Sequence, residues 1–104
     1  MAVSLRDGVA LRPDVAFRTI DDEGVVLDLA TGTYFGLNAS GTRMWQLLAE
    51  HGSLQKVAAA LVREFDARPD TLERDLLAFV EHLASRDLVR IVPRPGMSPR
   101  RTQS

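Results

Sequence analysis

Cysteine is absent from this chain of 104 residues, and histidine occurs only as His51 and His82. Without cysteine there can be no disulfide framework, no zinc finger and no thiol nucleophile. The two histidines fall on different predicted helices, His51 at a helix end and His82 beside Glu81 on a polar flank, and neither has metal-site spacing. No apolar run approaches the roughly 20 residues that cross a bilayer. The start, MAVSLRDG, has no basic segment leading into an apolar one, so no signal peptide is expected and the expected location is cytoplasmic, with no membrane partner. Catalytic motifs are missing too. There is no G-x-S-x-G elbow, Gly32, Gly36 and Gly41 form no phosphate loop, and Ser40 and Ser53 suit helix caps. The acidic run Asp21, Asp22, Glu23 reads as a solvated turn. The expectation is a non-catalytic protein without a cofactor.

What is present fits one modest core: 45% hydrophobic residues and a net charge of −1. The residues after Val92 carry Arg94, Arg100 and Arg101 and no acid, so removing those three charges from −1 leaves −4 on the rest. A mildly acidic body is a poor start for nucleic-acid binding. Residues 1–92 read as a single domain and 93–104, rich in Pro, Ser and Arg, as a disordered tail.

The centre of the chain is Val25–Leu48. Alternation predicts strands at Val15–Ile20, Val25–Leu29 and Thr33–Leu37, joined by turns at Asp21–Gly24 and Ala30–Thr33, with glycine supplying positive φ in each. Met1–Leu11 shows little pattern. A first helix follows, capped by Asn38 or Ser40, with Met44, Trp45, Leu47 and Leu48 inward and His51-Gly52 as its stop. Ser53 caps a second helix that carries Leu54, Val57, Ala58, Leu61, Val62 and Phe65. A third runs from about Thr71 to Asp87, with Pro69 as a breaker and Asp70 and Glu73 as a capping box. Its apolar stripes are Leu72, Leu76, Phe79, Leu83 and Leu77, Val80, Ala84. Leu88–Val92 reads as a short last strand. The fold class is therefore α+β and winged-helix-like, a three-stranded antiparallel sheet followed by three helices.

Such an inventory suits a nucleic-acid binder, but the third helix sets Glu73, Asp75, Glu81 and Asp87 against Arg74 and Arg86. Peptide capture has a more direct route. The last strand of the meander, Thr33–Leu37, keeps an edge to which an extended chain can pair, and the third helix supplies a wall. Tyr34, Phe35, Leu76, Phe79 and Val80 are apolar anchor candidates, Asp75 a partner for a basic group, and Gly36 a place for close backbone approach.

The run V-V-L-D-L-A-T-G-T-Y-F-G-L-N-A-S-G-T-R-M-W-Q-L-L at Val25–Leu48 resembles the PqqD-like family, as do the following helices with Phe65 and the segment S-R-D-L-V at Ser85–Val89. The resemblance covers roughly Leu11–Val92. It implies a RiPP recognition element, a non-enzymatic module that captures the leader of a ribosomally made precursor peptide as a strand beside the third strand and against the third helix. Carried over by element, the implied peptide-binding residues are Thr33, Tyr34, Phe35, Gly36, Leu37, Asp75, Leu76, Phe79 and Val80. The form Tyr-Phe-Gly-Leu-Asn looks most like the stand-alone lasso-peptide branch. There the implied partners are a transglutaminase-like leader peptidase and an asparagine-synthetase-like cyclase. The alternatives are a PQQ-type chaperone for a radical SAM enzyme and a winged-helix nucleic-acid binder.

Overall fold

The computed structural model describes residues 3–92. The elements follow in the order β1 Gly8–Leu11, β2 Val15–Ile20, β3 Glu23–Asp28, β4 Thr33–Leu37, α1 Ala39–His51, α2 Leu54–Glu64, α3 Pro69–Ser85 and β5 Val89–Val92. The expected three-stranded sheet is antiparallel in the order β2-β3-β4, and the three helices follow it. The expected tail at 93–104 lies outside the described residues. Among those described, no helix is long and apolar enough to cross a membrane.

The sheet has two unlike faces because side chains alternate along each strand. Register sets Phe17, Val26 and Phe35 in one row across the three strands. Val26 is wholly buried, and Phe17 stacks on Trp45 of α1 with ring centroids 5.8 Å apart. This is the face the helices cover. The opposite row, Ala16, Leu27 and Tyr34, points away from them, and Tyr34 is 71% exposed. Val25–Leu29 was the expected span of the central strand, but Leu29 lies beyond β3 and is exposed.

Gly24 has a different role from the one expected. Positive φ in the β2–β3 turn falls on Asp21, at 58°. Gly24 sits inside β3, where a Cβ would come within 2.5 Å of the Phe17 ring, and its N–H donates to the Thr42 hydroxyl at 2.6 Å. Glycine is needed there for close packing of the sheet on α1. Gly32 does take the left-handed conformation expected of it, at φ 76°.

The helix ends follow local chemistry. Asn38 is the α1 cap, its side-chain oxygen accepting from the Gly41 N–H at 2.8 Å, and Gly52 closes the helix at φ 72°. Ser53 caps α2. The expected capping box on α3 is replaced by a different start. Arg68 is the cap without a side-chain bond and Pro69 is the first helical residue. Proline has the right φ there and lacks only an N–H that the first turn leaves unpaired anyway. Asp70 then lies in the first turn, where the helix dipole favours a carboxylate.

The far end of α3 is a Schellman turn. The Leu88 N–H donates to the Leu83 carbonyl at 3.0 Å and the Asp87 N–H to the Ala84 carbonyl at 3.0 Å, with Asp87 at φ 61°. Leu88 and Leu83 are both buried, which supplies the apolar contact of that motif. The turn releases the chain into β5. β5 pairs antiparallel with β1, with Gly8 opposite Val92 and Leu11 opposite Val89. Sequence alternation did not reveal β1, and it forms a second, two-stranded sheet. The Val9 N–H also donates to the Gly52 carbonyl at 2.7 Å, which fixes β1 to the α1–α2 junction.

Arg12 joins these elements. Its guanidinium holds the Asp14 carboxylate with both oxygens at 2.8 Å, donates to the Asp87 carbonyl at 2.6 Å, and lies 3.7 Å from the buried Asp28. The Arg12 hydrogen bond holds the Asp14 carboxyl below the usual carboxylate range.

Candidate functional site

Among the described residues β4 pairs on one side only, with β3. Its other edge leaves a row of main-chain donors and acceptors free for another strand. Across a groove from that edge stands α3. The groove encloses about 790 Å³. Phe35 and Leu37, the β4 residues on the covered face, are half-buried along it, and Met44, Leu72, Leu83 and Leu88 form its apolar base. The helix runs opposite to β4: the Phe79 ring lies near Gly41 just past the end of the strand, whereas Arg86 lies over Phe35 within it.

The expected residues separate into two groups. Tyr34, Phe35, Gly36, Leu37, Asp75 and Phe79 all line the groove. Thr33 begins the same strand. Leu76 and Val80 do not line it. Both have 0% exposure and belong to the core beneath α3, because a helix packed on α2 and β5 must turn one stripe inward. The groove-facing stripe is instead Asp75, Phe79, His82 and Arg86. His82 and Arg86 were not among the expected site residues. Their signal was present in the sequence as spacing of 4, 3 and 4 residues from Asp75, which repeats one helical face.

The charges of that stripe are ordered. Asp75 stands toward its start and Arg86 at its end, with the Arg86 guanidinium carbon 5.6 Å from the centre of the Phe35 ring, within cation–π range. Gly36 lies on the outer face of β4, and a Cβ there would meet no heavy atom within 4 Å. A second depression of about 760 Å³ adjoins the groove and shares Gly36, Leu37 and Asn38 with it. It reaches the exposed acidic turn Asp21–Glu23.

Two solved structures resemble this chain. A structure described as TbiB1 in complex with the TbiA(beta) leader peptide is 41% identical, with a TM-score of 0.74, over 78% of this chain and 94% of that one. A second, a lasso peptide synthetase B1 complexed with the leader peptide, is 29% identical with a TM-score of 0.72, over 80% of this chain and 98% of that one. The chain has no significant match among curated proteins. The family model described as coenzyme PQQ synthesis protein D (PqqD) matches residues 23–89, which take in the central hairpin, all three helices and the Schellman turn. The chain therefore belongs to the PqqD family.

Proposed function

We propose that this protein binds the leader region of a ribosomally synthesised precursor peptide and presents it to processing enzymes in lasso peptide biosynthesis, without performing chemistry itself. One observation carries the reading: an open β4 edge faces α3 across a groove with an apolar base, in a chain 41% identical to a protein whose structure holds a leader peptide. Main-chain pairing to the edge supplies affinity, and side-chain pockets supply selectivity. Thr33 through Leu37 provide the edge. Asp75 and Phe79 provide contacts on the wall, and Leu76 and Val80 hold that wall rigid from beneath. The enzymes receiving the peptide are a transglutaminase-like leader peptidase and an asparagine-synthetase-like cyclase. Any cofactors belong to them. The lasso pathway is favoured over PQQ assembly because a lasso peptide synthetase B1 aligns over 80% of this chain.

The test is a titration of the cognate precursor's leader by fluorescence anisotropy, with leaders N-methylated at single backbone positions. Saturable binding is expected. N-methylation should abolish it at alternate residues, because only every second amide of an added strand faces β4. Phe79→Ala should weaken binding by about tenfold while circular dichroism stays unchanged. Absence of uptake, or sensitivity to N-methylation without alternation, would overturn the reading. Affinity for duplex DNA that falls steeply with salt would favour the nucleic-acid alternative.

A further inference from the structure

The helix stripe that faces the groove carries opposite charges at its two ends. Asp75 and Arg86 are both exposed, and neither has an ion-pair partner among the described residues, whereas Arg12, Arg43 and Arg68 are each held by a carboxylate. Arg86 is nevertheless positioned. It caps α3, and its guanidinium lies over the Phe35 ring. A planar fork held in this way suits a carboxylate that approaches along the groove. Between the two charges, Phe79 and His82 complete the stripe.

The spacing can be converted into peptide length. Asp75 and Arg86 are separated by a helical span of about 16 Å, at about 1.5 Å per residue. A strand covers that distance in roughly five residues, at about 3.3 Å each. From this complementarity we infer that the groove selects an extended peptide segment with a basic and an acidic side chain roughly four or six residues apart, an even spacing that keeps both on the strand face turned to α3, the basic one at Asp75 and the acidic one at Arg86. An apolar side chain between them lies against Phe79. Arg86 is a specificity-determining residue of the site, and the charge order fixes which way along the groove the peptide lies. This inference rests on the peptide-binding reading above.

The experiment is display selection of a randomised linear twelve-residue peptide library on the full chain and on the double variant Asp75→Arg with Arg86→Asp. Both positions are exposed, and thermal melting confirms that the variant folds. The parent protein should enrich one order of opposite charges at the stated spacing, and the double variant the reverse order. A synthesised parent-selected peptide should bind Arg86→Gln about five- to tenfold more weakly, and exchanging its two charges should restore binding to the double variant. The neutral Arg86→Gln variant keeps the test valid should the charge reversal unfold the chain. Enriched peptides without a charge pair, or a charge order that the swap leaves unchanged, overturn the inference while leaving peptide binding intact. No enrichment on either protein overturns both.

Discussion

Gly24 and Gly36 show how two residues of one type serve opposite ends in the same sheet. A Cβ on Gly24 would overlap the Phe17 ring, which is itself stacked on Trp45, so Gly24→Ala forces apart the contact between sheet and α1. It should destabilise the protein by about 1–3 kcal/mol, read as a lower urea midpoint at unchanged slope. Gly36→Ala meets open space, and removing a flexible glycine from a strand should raise stability by about 0.5–1 kcal/mol. Equal effects at the two positions would contradict this account. The sequence singled out both glycines but read Gly24 as a turn residue, whereas its role is close packing on Phe17. A turn glycine and a close-packed glycine look alike until the partner across the sheet is known, and Phe17 lies seven residues away. The same limit applies to Leu76 and Val80. Periodicity shows that α3 has two apolar stripes, but only packing tells that the core takes Leu72, Leu76 and Leu83 from one and Val80 from the other.

At the scale of elements, most of α1, α2 and the hairpin could be read directly, because their signals are local: Asn38 and Ser53 as caps, Gly52 and Gly32 at positive φ, and alternation in β3 and β4. β1 was missed because four residues with a single buried side chain, Val9, make no pattern, and the strand exists through pairing with β5 at the other end of the chain. Its connection to the main sheet passes through Arg12. The Arg12 pair lowers the Asp14 pKa on folding, so its stabilising share is present above the unfolded carboxylate value, about 3.9, and is lost as pH falls through the lower folded value. Asp14→Asn should therefore melt below the parent at pH 7, and the gap should close as the solution is acidified to pH 3 and below. A gap that stays constant across this range would exclude the ion pair as its origin. High salt should narrow the gap at neutral pH, since the pair is open to solvent.

At the scale of the whole molecule, the proposed binding edge and the closure of the fold lie on different sheets. β4 offers its free side to the groove, whereas β1 pairs with β5 on one side and bonds the α1–α2 junction on the other. The β1–β5 ladder also has a mechanical character. Gly8 and Val92 are its outermost partners, so the chain enters β1 and leaves β5 at the same end of the ladder. Tension between the two chain ends therefore falls on that pair before any other in the ladder. The bonds run across the strands, so they break in succession instead of resisting together in shear. Pulled in an optical trap, the protein should yield at low force, with β1 and β5 peeling from Gly8 inward toward Leu11 before the β2-β3-β4 meander opens. The molecule is in this sense fastened by a zip whose slider sits where the two ends meet.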